Sequence, residues 1–143
     1  MNVERLKLLA DTIEKGVVEF PDLGHVVAFN MAMIFISTDK IRVFDRSDIL
    51  EPEKVTACGC NMGFTILLFS DDKLKRAVAE FSLVSDEQFD FYTEAKLLLD
   101  LDAEQAVSLF YGRMSPTITG ERVANVIRRL ILTEQVDWSA IAY

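Results

Sequence analysis

From Ser70 to Glu134 the chain repeats one local pattern: a side chain able to cap a helix, apolar residues at three- and four-residue spacing, then a break. Ser70 is placed to cap a helix running to about Phe81, with Leu74, Val78 and Phe81 as its stripe. Ser85, followed three residues later by Gln88, forms a capping box that opens a helix to about Leu99. Asp102 and Gln105 repeat the device ahead of Ala106, Leu109 and Phe110, with an end expected near Gly112. After Pro116, Thr119 starts a helix to about Glu134 that turns Val123, Val126, Ile127, Leu130 and Ile131 inward. Arg128 and Arg129 are expected to complement its dipole. Trp138 and Tyr143 are expected to pin the tail. Short amphipathic helices joined by short turns bury their stripes against one another, so a helical bundle is the expected assembly.

The first half is less uniform. Val3, Leu6, Leu9, Ala10, Ile13 and Val17 make an amphipathic helix over 3–18, ended by Pro21 and Gly24. Met31, Ala32 and Met33 favour a buried helix over 25–36. Against that, Phe35-Ile36-Ser37 and Ile41-Arg42-Val43-Phe44 flank Thr38-Asp39-Lys40 in the manner of a short hairpin, the alternative within 26–45. Pro52 suits the first turn of a short helix. Cys58 to Gly63 reads as tightly turning or closely packed, and Phe64 to Phe69 as a buried run, helical or extended. The expected fold is mainly α: a single domain over 1–143 of about six short helices. An α+β fold is the alternative.

Composition removes several function classes. Half of the 143 residues are apolar and 27% are charged, which is globular composition. The longest nearly apolar run, Val26 to Ile36, is too short for a spanning helix, which needs about 20 residues. Glu4, Arg5, Lys7 and Asp11 stand where a secretory signal would be apolar. Cys58 and Cys60 are one glycine apart, and a disulfide across so small a ring is strained. A reducing, cytoplasmic setting is therefore expected. A net charge of −8 argues against direct nucleic-acid contact and anionic membrane surfaces, and permits a basic protein surface as partner.

The acids concentrate. Glu80, Asp86, Glu87, Asp90, Glu94, Asp100, Asp102 and Glu104 face only Lys96 among positive charges in that stretch. The candidate interaction residues are Asp86, Glu87, Asp90, Glu94, Asp100, Asp102 and Glu104, an anionic helical face for a basic partner. The plainer account is that first-turn acids serve helix dipoles and the others solvate a surface. Phe89, Phe91, Tyr92, Phe110 and Tyr111 are core residues on the plain account and interface anchors if they share an exposed patch with the acids. Cys58 and Cys60, with His25 as the only histidine, are the alternative metal or thiol centre. Zinc normally takes four ligands, and redox pairs are commonly spaced by two residues. Buried structural cysteines are the simpler account. No serine or cysteine can be matched to His25 as a nucleophile from sequence. The glycines form neither a phosphate loop nor a dinucleotide fingerprint, and no cofactor is expected. Homo-oligomerisation remains a further reading of the high apolar content.

Phe29-Asn30-Met31, then Ala57-Cys58-Gly59-Cys60 with Gly63, then a late helix leading to Val136-Asp137-Trp138, resemble a loose group of small helical proteins of bacteria and their phages. The resemblance implies a Cys-Gly segment opening a buried helix, and it favours helices at 25–36 and 60–70. It implies no activity.

Overall fold

In the computed structural model, described over residues 1–37, 55–80 and 90–139, the chain begins with α1 (Val3–Ile13). The Asn2 side chain caps it by accepting the Arg5 amide at 3.1 Å, and Leu6, Leu9, Ala10 and Ile13 are buried. The helix stops at Ile13 instead of reaching residue 18. The β-branched Val17 and Val18 begin β1 (Val17–Phe20), where a pleated surface suits them better. Pro21–Leu23 form a single 3-10 turn, and β2 (His25–Phe29) returns antiparallel, Val17 opposite Ala28 through Phe20 opposite His25.

The helix predicted over 25–36 is not formed. Its place is taken by β2, a turn, and β3 (Phe35–Ser37). The turn is held by the Asn30 side chain, which accepts the Ala32 amide at 2.9 Å, while Met33 N–H donates to the Asn30 carbonyl at 3.2 Å. Met31-Ala32-Met33 is too short to nucleate a helix against neighbours that find strand partners. Those partners are distant in sequence. β4 (Ala57–Gly59) lies between β2, to which it is parallel, and β3, to which it is antiparallel, giving the order β1-β2-β4-β3. The 41–44 arm of the predicted hairpin and the Pro52 helix lie outside the described residues.

Cys60 ends the sheet and caps α2 (Asn61–Phe69), so the run after Gly63 is helical and largely buried. Gly63 faces the Ile34 carbonyl so closely that a Cβ would overlap it. Ser70 is not the cap of the next helix. Its hydroxyl donates back to the Ile66 carbonyl at 2.6 Å, and Asp71 caps α3 (Asp72–Ala79), accepting the Leu74 amide at 2.8 Å. A carboxylate is as good a cap as a hydroxyl, and sequence alone does not choose between adjacent candidates.

Asp90 caps α4 (Phe91–Leu99) with backbone angles outside the helical region, so no helix runs continuously from Ser85 to Leu99. The Ser85/Gln88 box lies outside the described residues. α5 (Ala103–Tyr111) carries both halves of the predicted box: Gln105 N–H to Asp102 at 2.7 Å, and Asp102 N–H to Gln105 Oε1 at 3.0 Å. α6 (Gly120–Thr133) is capped by Thr119 as expected.

All six described helices contribute to one apolar core, with Val27, Phe35 and Ala57 from the sheet. Strand alternation sends Ala28 and Cys58 to the opposite face, where they cluster with Val55 and with Val17, Val26 and Ile36. Among the described residues there are six helices, as expected, and a four-stranded sheet beside them, so the fold is α+β in kind, the alternative to the mainly helical reading. The principal partner of α1 is α6. They meet where Gly120 lies against the Ile13 carbonyl, with no room for a Cβ. Arg128, expected to serve the α6 dipole, instead crosses to α1, bonding Asp11 at 2.9 Å and also Glu14. Trp138 Nε1 donates to the Ser108 carbonyl at 2.8 Å and so pins the tail on α5; Tyr143 lies outside the described residues. Among the described residues no helix is long and apolar enough to cross a membrane.

Candidate functional site

Among the described residues, the candidate acids of the band are spread over the ends of two helices. Asp90 and Asp100 cap opposite ends of α4, about 15 Å apart along a helix of that length. Asp90 sits at the amino end, accepting the Thr93 amide at 3.0 Å and its hydroxyl at 2.6 Å. The Thr93 hydroxyl, then its amide, hold the Asp90 carboxyl below the usual carboxylate range. Glu94 is half-buried in the first turn of the same helix. Asp86 and Glu87 lie outside the described residues.

A second group of carboxylates does converge. Asp100, Asp102 and Glu134 line an open cleft of about 600 Å³ together with Met1, Leu101, Gln105, Thr133 and Gln135. Three chain reversals bring them there. Asp100 and Glu134 are the C-caps of α4 and α6, each with the left-handed backbone that ends a helix, at φ 53° and φ 62°. Asp102 is the N-cap of α5. Gln105 ties two of these ends together, donating from Nε2 to the Glu134 carbonyl at 2.9 Å. The Met1 ammonium bonds Asp100 at 3.0 Å, yet the Asp100 side chain remains 82% exposed. Glu104 is exposed one residue inside α5. Glu134 was missed at the sequence level because it belongs to a mildly basic segment and lies 30 positions beyond the acidic band. Nothing local marks it.

The alternative metal or thiol centre is not assembled. Among the described residues no three of His, Cys, Asp and Glu gather in a way that could hold a metal ion, and His25, Cys58 and Cys60 are all described. Cys58 belongs to the second apolar cluster and Cys60 to the main core, on opposite sides of the sheet. Burial pushes the Cys60 thiol up, offset only in part by the amides of Gly63 and Met62 at the start of α2. A thiol kept protonated is a poor nucleophile and a poor ligand. His25 uses both ring nitrogens: Nδ1 lies 2.7 Å from Thr56 Oγ1 and Nε2 2.7 Å from the Ala79 carbonyl. Since a carbonyl only accepts, Nε2 carries a proton, and the ring ties β2 to the end of α3.

The aromatics divide. Phe91 and Phe110 are core residues. Tyr92 is half-buried and meets Phe110 edge-on, with centroids 6.2 Å apart at 86°; its other side stacks on Tyr111 at 5.7 Å and 24°. Tyr111 is 38% exposed. Glu104 near the head of α5 and Tyr111 at its end are both exposed, about 10 Å apart along the helix.

Comparison with family models, with curated proteins and with solved structures gave no match.

Proposed function

We propose that this protein is a non-enzymatic interaction module, an adaptor or inhibitor, that receives a basic protein surface at its acidic end. The observation that carries the reading is the meeting of Asp100, Asp102 and Glu134 around one open cleft. Carboxylates drawn from three helix ends present a concentrated negative potential on a rigid frame, which attracts a basic partner and speeds its encounter. The groups that would support chemistry are otherwise engaged: His25 by two hydrogen bonds and Cys60 by burial. A bacterial or phage setting is part of the proposal and rests on the sequence resemblance alone.

The test uses a fluorescent Lys/Arg-rich peptide as probe. Binding is expected at low salt, weakening about tenfold or more between roughly 50 and 300 mM NaCl as screening shortens the reach of the field. In an Asp100→Asn, Glu134→Gln double variant the affinity should drop several-fold and the salt dependence should flatten. Asparagine tolerates the left-handed backbone at position 100, so the exchange changes charge more than shape. Equal affinity in wild type and variant sinks the reading.

A further inference from the structure

We propose that Trp138 is a positioning residue of the acidic cleft: seated on α5, it holds the end of α6 so that Glu134 stays beside Asp100 and Asp102. The proposal rests on the acidic-end reading and names the contact that keeps that end assembled.

The packing of α6 stops short of Glu134. Its last buried residue is Leu130; Ile131 is half-buried, Leu132 is 84% exposed, and Thr133 and Glu134 are exposed. The Glu134 amide closes the helix on the Leu130 carbonyl at 2.7 Å, but a terminal turn without a buried side chain frays readily. Two contacts to α5 supply what the turn lacks. Gln105 Nε2 donates to the Glu134 carbonyl at 2.9 Å, and four residues further on Trp138 Nε1 donates to the Ser108 carbonyl at 2.8 Å. Gln105 and Ser108 are three positions apart and so lie on one side of α5. The segment 134–138 is therefore tied at both ends to one stretch of one helix.

The seat is shaped for an indole. The Ser108 carbonyl also accepts the Gly112 amide at 3.1 Å, and a Cβ on Gly112 would overlap both that carbonyl and the indole nitrogen. The glycine lets the ring lie directly against the end of α5. Between the two ties, Val136 is half-buried and packs on the main core, as Trp138 does. The Gln105 bond is open to water, where one hydrogen bond contributes little; the packed indole face contributes more. Glu134 thus owes its place to a side chain that does not line the cleft.

The experiment uses the Lys/Arg-rich peptide and the emission of Trp138, the single tryptophan, in the full chain. Trp138→Ala should weaken the peptide about fivefold at low salt, and Trp138→Phe, which keeps a ring without the N–H, about twofold, with circular dichroism verifying that both are folded. In a Glu134→Gln background Trp138→Ala should have no further effect, because it acts through that carboxylate. In the wild type, a saturating unlabelled peptide should cut acrylamide quenching of Trp138 by about half, since a ligand held at Glu134 steadies the segment that carries the indole. If Asp100→Asn, Glu134→Gln weakens the peptide and Trp138→Ala does not, the positioning role is overturned and the acidic-end reading survives. An equal loss from Trp138→Ala with and without Glu134→Gln places its effect elsewhere and also overturns the role. Unchanged quenching at saturation does the same without any variant. If neither the double charge variant nor Trp138→Ala alters binding, both readings fall.

Discussion

Asp90 caps α4 with a carboxylate that accepts both an amide and a hydroxyl from Thr93. Those bonds favour the ionised form, so its folded-state pKa lies below the unfolded one. The sign follows. The stabilisation is fully present above the unfolded value, about 3.9, and is lost as pH falls through the lower, folded value. Asp90→Asn retains a capping oxygen but cannot titrate; melting temperature plotted against pH should be flatter below about pH 4 than for wild type. The Cys60 thiol offers a second check. Burial holds it protonated, so a thiol reagent at pH 8 should modify the native protein far more slowly than the unfolded chain; rapid native labelling would reopen the thiol reading. Residues of this kind were partly legible. Aspartate at a helix start is written in local spacing, which is why Asp102 was read correctly. That His25 would bond Thr56 and the Ala79 carbonyl was not, because those partners lie 31 and 54 positions away.

Elements obey the same division. The capping box of α5 and the cap of α6 are closed by residues three positions apart, and the sequence pattern located them. β2 and β3 are made by β4, whose pairing residues lie about twenty to thirty positions further along, so the stretch 25–36 shows its own weak helical bias and not the sheet that overrides it. Two substitutions separate local from non-local contributions. Asp102→Ala removes the α5 cap and should cost about 1 kcal/mol in chemical denaturation. Gly120→Ala, at the first position of α6, drives a methyl into the Ile13 carbonyl of α1 and should cost about 1–3 kcal/mol or more, since backbone on both sides cannot give way cheaply. On helix propensity alone alanine would be favoured over glycine there, so the expected sign is opposite to the local one.

For the whole molecule, charge and connectivity pull in different directions. A net −8, with three carboxylates around one cleft, loads the folded state with self-repulsion, and the exposed bridges from Arg128 to α1 return little. Adding about 0.3 M NaCl should therefore raise the melting temperature, by about 2–4 °C for a repulsion of order 1 kcal/mol. A fall would mean that attractive pairs dominate. The acidic character of the molecule was readable from composition; the cleft was not, because Glu134 joins Asp100 and Asp102 only through the docking of α6.

That docking has a consequence for the order of events at the ribosome. Asp11 and its partner Arg128 are 117 positions apart, and the helix that faces α1 across the core is the last one described. At roughly 5–20 residues per second, Leu6, Leu9, Ala10 and Ile13 are synthesised roughly 6–20 s before the α6 residues that face them. Until then these apolar side chains lack their partners on α6 and are open to whatever holds or destroys unfinished proteins. A message broken before the codon for Gly120 would yield a product that never closes.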